Sequence, residues 1–159
     1  SRLTYGEYYL ALQQYNPQQL IAEVEKQKNS VEKTPLYAND YDAQIKLMLL
    51  YSLPKSPIYN SFHAKILLNQ LKSEDNNAAF ASITPNEQAF ISLLHDQLNQ
   101  RLLMRSRLIG QQEELQKSAL AQQQKAIEIQ QNLTEQVKLL EQTIKQLQNI
   151  EKAIDKRDQ

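Results

Sequence analysis

The chain contains two imidazoles, His63 and His95, and no cysteine. A metal site or a general base would have to draw on those two rings. His95 stands beside Asp96, and adjacent residues on a helix face different directions. The pair therefore lacks the i, i+4 geometry of a helical ligand pair. His63 follows Phe62 and precedes Lys65, and reads as a solvent-facing or partly packed histidine. The neighbouring carboxylates Asp40/Asp42 and Glu113/Glu114 read as a helix N-terminus and a solvated face respectively. Without cysteine there are no disulfides, no thiol catalysis and few routes to structural zinc. With Gly6 and Gly110 as the only glycines, there is no glycine-rich phosphate cradle and no nucleophile elbow. The sequence thus assigns no catalytic, metal-binding or cofactor-binding residue, and it reads as a protein that is not an enzyme.

The densest basic cluster is Arg101, Arg105 and Arg107. Arg101 and Arg105 share a helix face and could grip an anionic partner, but the cluster reads first as a solvated stripe or as aliphatic stems covering apolar neighbours. Across the whole chain 18 basic side chains balance 18 acidic ones. That balance argues against a nucleic-acid or anionic-membrane surface, which needs clustered excess Lys and Arg. Asn132-Leu133-Thr134 matches a glycosylation sequon, yet Leu133 lies on an apolar helix face, so the match reads as accidental. No apolar run approaches the roughly 20 residues that cross a bilayer.

Two glycines leave helices as the elements that position these residues. All eight tyrosines lie between Tyr5 and Tyr59, and nothing aromatic follows Phe90. Aromatics supply much of a core's buried area, so the compact part belongs to the first half. The tyrosines themselves read as core residues with hydroxyls at the rim. Thr4-Tyr5-Gly6-Glu7 has the spacing of a capping box and opens a predicted helix at about 4–15. Asn16-Pro17-Gln18-Gln19 repeats the device for a helix at about 17–33. Pro35 breaks it. Asn39 or Asp40 is then expected to cap a third helix with Tyr41, Ile45, Met48, Leu49 and Leu53 at helical spacing. Ser56-Pro57 is expected to start a fourth at about 57–72, with Phe62, Ile66, Leu67 and Leu71 facing inward. Ser73–Asn77 reads as a polar loop before one turn at Ala78–Ala81. Such short helices joined by proline-marked turns form antiparallel hairpins, loosely tetratricopeptide-like but without that repeat's Trp, Gly and Tyr signature.

Thr84-Pro85-Asn86-Glu87 is the clearest helix start. No proline follows it, and the only glycine after it is Gly110. The chain therefore divides into a compact helical-hairpin domain, 1–83, and a long amphipathic Gln-rich helix, 84–159. One continuous helix of that length would measure on the order of 100 Å. Its apolar seam runs Ile91, Leu94, Leu98, through Arg101 and Arg105 to Leu108, then Gln112, Leu115, Ala119, Gln122, Ala126, Ile129 and Leu133. It continues as Val137, Leu140, Ile144, Leu147, Glu151 and Ile154. Two consecutive four-residue steps, Ile129–Leu133–Val137, make a stutter. The distal segment 133–154 is a good coiled-coil strand, while Gln and Ala weaken the middle. Such a helix packs on its own domain, pairs with a second copy, or receives another protein's helices.

Ile83-Thr84-Pro85-Asn86-Glu87 at the head of a Gln-rich helix, the ending LLEQTIKQLQNIEKAI (139–154), and the Leu47–Leu53 helix followed by Pro54 and Pro57 together resemble the QseG (YfhG) type of outer-membrane lipoprotein. The resemblance runs through most of the chain from about residue 36. It implies a periplasmic protein that binds and activates the periplasmic sensor region of a two-component histidine kinase. It also implies attachment to the outer membrane only through an N-terminal lipid anchor lying before Ser1. On that reading the helix at 98–147 presents Leu115, Ile129, Leu133, Val137, Leu140, Ile144 and Leu147 as the partner-binding anchors. The alternative is an envelope scaffold or spacer that self-associates, as a homo-oligomer, through the C-terminal helix.

Overall fold

The computed structural model describes residues 2–73 and 78–158, and among them the chain is all-α, with no strand. Five α-helices follow one another: α1 (Tyr5–Leu12), α2 (Pro17–Lys33), α3 (Asp42–Ser52), α4 (Ser61–Ser73) and α5 (Pro85–Arg157). Short 3-10 turns at Leu36–Ala38 and Ala78–Phe80 lie between them. The chain divides into two units, Ser1–Arg107 and Leu108–Gln159.

All three capping boxes form as their spacing requires. The Thr4 hydroxyl accepts from Glu7 N at 3.2 Å while the Glu7 carboxylate accepts from Thr4 N at 3.3 Å. Asn16 and Gln19 make the same exchange at 2.8 and 2.9 Å, with Pro17 at the first helical position. Thr84 and Glu87 repeat it at 3.2 and 3.1 Å. Glu87 does more: Oε1 also accepts from Tyr5 N at 3.3 Å, so the carboxylate that caps α5 satisfies an orphan amide of α1 as well.

Within the first unit α3 is the centre, packed against α1, α2 and α4. Ile45, Met48, Leu49 and Leu50 are buried on it, and none of its residues is exposed, as its central place requires. The core is completed by Leu12, Leu20, Val24, Leu53, Leu68 and Leu71, and by Ile91, Leu94 and Leu98 from the start of α5. Each such side chain contributes roughly 1.5–3 kcal/mol on full burial.

Four expectations need correction. The helix expected at 4–15 ends at Leu12. Its last turn tightens into i→i−3 bonds, Gln13 N to Leu10 O and Gln14 N to Ala11 O, and Lys55 donates to the carbonyl oxygens of Gln13 and Tyr15 beyond it.

Neither Asn39 nor Asp40 is the N-cap of α3. Asn39 closes the 3-10 turn in the left-handed region (φ 49°), where asparagine is tolerated, and the cap position falls to Tyr41. The Asp40 carboxylate, one residue before the cap, still accepts from Asp42 N, the first amide of the helix, at 3.1 Å.

The fourth helix begins at Ser61, not Pro57. Residues 53–60 form two successive turns instead, Ser56 N to Leu53 O and Tyr59 N to Ser56 O. Asn60 then does the capping: its side chain accepts from His63 N at 2.9 Å, and its own N–H ties it to Tyr51 O at 2.8 Å. The inward face of α4 is Ala64, Leu68 and Leu71, while Phe62 and Ile66 are exposed. Leu71 keeps its expected place; the small, fully buried Ala64 takes the one assigned to Phe62.

The start of α5, beyond the expected boundary at 83/84, still belongs to the first unit. Ile91, Leu94 and Leu98 bury their side chains in the core, and this carries the first unit on to Arg107. The polar loop expected at 73–77 falls, apart from Ser73, outside the described residues.

Candidate functional site

The chemistry-bearing residues come first. His63 stacks on Tyr51 with ring centroids 4.2 Å apart, so its ring is occupied by a packing contact. His95 Nδ1 lies 3.7 Å from the Asp96 carboxylate and 3.5 Å from Asn99 Nδ2, closer to Asp96 than the divergence of adjacent helical positions predicts. Among the described residues no group of three or more His, Asp and Glu could hold a metal ion.

The two buried tyrosines with partnered hydroxyls carry the most perturbed groups. Tyr8 donates to Glu23 at 2.8 Å, and the buried Gln27 amide donates to the same oxygen at 2.8 Å. Burial, followed by that hydrogen bond, pushes the Tyr8 hydroxyl well above its ordinary range. Tyr5 donates to Asp42 at 2.9 Å, and its hydroxyl is likewise pushed up, by burial first and then by the Asp42 charge. Burial alone would raise the Asp42 carboxyl too. Hydrogen bonds from Lys46 and Tyr5, with the charges of Lys46 and Arg2, outweigh it and hold Asp42 below the ordinary carboxylate range. These groups are neutral phenols and a compensated carboxylate that tie α1 to α2 and α3. None is poised to exchange a proton near neutral pH.

The basic cluster separates. Arg101 donates to Ser52 O at 2.7 Å, at the end of α3, and lies 3.4 Å from Ser61 Oγ. Arg105 and Arg107 remain exposed. A cavity of about 310 Å³ lined by Tyr59, Asn60, Ser61, Arg101, Leu102 and Arg105 adjoins them.

In the second unit every described side chain is exposed. The seven expected anchors, Leu115, Ile129, Leu133, Val137, Leu140, Ile144 and Leu147, are each between 51% and 71% exposed. At 3.6 residues per turn they fall within an arc of roughly 80° on a regular helix. The stutter is what keeps them there. A strict heptad drifts about 20° per repeat on a straight helix, and the doubled four-residue step at Leu133 resets the drift. The stripe thus gathers Leu115, then Ala119, Gln122 and Ala126, then an unbroken apolar run from Ile129 to Leu147.

No family model matches this chain, and comparison with curated proteins and with solved structures finds no match either.

The chemical reading therefore rests on the surface itself. It is a polar helix bearing an aliphatic stripe that is unbroken from Ile129 to Leu147, with no helix among the described residues long and apolar enough to cross a membrane. Sequence reasoning missed a second ridge. Ile109, Leu120 and Ile127 are also exposed, at spacings of eleven and seven, and stand about 120° round the helix from the stripe. The seven-residue interval between Leu120 and Ile127 is the signal that would have found them. It also missed that Phe62 and Ile66, one turn apart on α4, face outward.

Proposed function

We propose that this chain is a non-catalytic protein-interaction module whose contact surface is the stripe Leu115, Ile129, Leu133, Val137, Leu140, Ile144 and Leu147. The observation that carries the reading is the exposure of all seven together on one face of α5. Apolar groups aligned on one helix face lose hydration cost when another helix covers them, and an amphipathic helix is a ready recognition element. The resemblance to QseG-type lipoproteins supplies the partner: the periplasmic sensor region of a two-component histidine kinase, met by a protein anchored at the outer membrane. Contact that favours one signalling state of the kinase would shift its equilibrium by the difference in affinity for the two states.

Photo-crosslinking in cells tests this, with the reactive residue at Gln112 or Gln122, both in phase with the stripe. Adducts with a sensor kinase are expected; adducts with copies of the chain alone would overturn the assignment. In a purified system, Leu115→Asp combined with Ile129→Asp should weaken binding to the sensor region by at least about tenfold. The melting of the first unit should not change.

A further inference from the structure

The distal half of the stripe has a regularity that the proximal half lacks. From Leu133 onward the three-and-four spacing places Val137 and Ile144 at heptad position a, and Leu133, Leu140 and Leu147 at position d. Every a residue in this run is β-branched and every d residue is leucine. In a parallel pair, a faces a and d faces d, and β-branched a layers alternating with Leu d layers favour two strands. An antiparallel pair, or a groove of unrelated sequence, mixes the layers and has no need of that segregation. The pattern stops at Glu151, which occupies the next a position.

We propose that residues 133–147 of α5 pair with the same residues of a second copy of this chain, in a parallel, in-register, two-stranded coiled coil. Two further observations favour a second copy as the occupant. The five seam residues are each between 51% and 63% exposed. Covering them on both helices removes roughly 1,000 Å² from water, the lower end for a specific interface. The second unit also carries seven basic and eight acidic side chains, counted over 108–159, so like charge does not keep two copies apart. The flanking e and g positions, Thr134, Gln136, Glu141, Thr143 and Gln148, place no two carboxylates and no two cations opposite one another in a parallel pair. This rests on the reading that the stripe is a contact surface and divides it at the stutter. The distal half binds the second copy, and Leu115 and Ile129, in the other phase of the seam, stay free for a different protein.

The absence of cysteine allows a direct test on the whole chain. Sedimentation over a wide concentration range should give twice the chain mass at the top of the range. Leu147→Cys, at a d position, should form an interchain disulfide under mild oxidation, and Gln142→Cys, at an outer f position, should not. Leu140→Asp should give the single-chain mass at every concentration, with the helicity of the first unit retained. Single chains from the unsubstituted protein would overturn the proposal, as would equal crosslinking at 147 and 142, or a dimer that Leu147→Cys fails to crosslink. Mass and disulfide yield are independent of kinase capture, so a failure here is distinct from a failure of the sensor-kinase assignment.

Discussion

Arg101 donates to the backbone carbonyl of Ser52 across 2.7 Å, so a side chain from the fifth turn of α5 closes the C-terminus of α3. The last carbonyls of a helix have no intrahelical donor, and a guanidinium there meets both the missing hydrogen bond and the negative end of the helix dipole. Replacing Arg101 with Met keeps the aliphatic stem and removes the donor. The expected cost is about 1.5–3 kcal/mol, the range for a hydrogen bond to a charged group. The readout is urea denaturation followed by tyrosine fluorescence. A loss no larger than that of Arg107→Met would show the contact to be without consequence.

Asp42 predicts a pH dependence with a definite sign. Its carboxylate accepts from Tyr5 at 2.9 Å and pairs with Lys46 at 3.0 Å and with Arg2, and its folded value lies below the ordinary one. A depressed carboxyl contributes stability that is fully present above its unfolded value, about 3.9, and is lost as pH falls through the folded value. Asp42→Asn should therefore be less stable than the unsubstituted chain at pH 7, by about 1–3 kcal/mol. The gap should close as the pH is brought below about 4. Denaturant titrations at the two pH values check it; a gap that persists unchanged in acid would mean the loss comes from packing.

The starts of α1, α2 and α5 were legible because each rests on a local exchange between residues three apart. Thr4/Glu7, Asn16/Gln19 and Thr84/Glu87 needed no knowledge of the rest of the chain. The face of α4 was not legible, because two apolar sets compete on it: Phe62 with Ile66, and Ala64 with Leu68. Hydrophobicity favoured the larger pair, whereas packing on α3 selected the set containing the small residue, which only the position of the neighbouring helix decides. The start of α4 was hidden for a related reason. Ser56-Pro57 has the residue types of a helix N-terminus, and nothing local indicates that Asn60 will bond back to Tyr51 and take over the cap. The seven anchors were legible as a period. Their exposure is not legible, since Ile91 to Leu98 and Leu115 to Leu147 belong to one seam and only the first three are buried.

The two faces of α4 can be told apart by mutation. Leu68→Ala should cost about 2–5 kcal/mol, because it opens a cavity beside α3, whereas Phe62→Ser should stay within about 0.5 kcal/mol, as a surface substitution does. Thermal unfolding of the two variants measures both. A larger loss for Phe62→Ser than for Leu68→Ala would reverse the observed register.

Gly110 lies inside α5, and a Cβ added there meets nothing within 4 Å. Glycine in a helix interior is about 0.8–1 kcal/mol less favourable than alanine, through the backbone entropy it loses on ordering. Gly110→Ala should therefore strengthen the helix locally without any steric penalty. Hydrogen exchange of the amides around residues 106–114 reads this directly, with slowing of about fourfold to fivefold expected for a gain of that size. If residue 110 served as a hinge on partner contact, the same substitution would also weaken binding to the partner proposed above. The seven anchors all lie beyond it on one regular helix, so their alignment does not depend on a bend, and binding is expected to be unchanged.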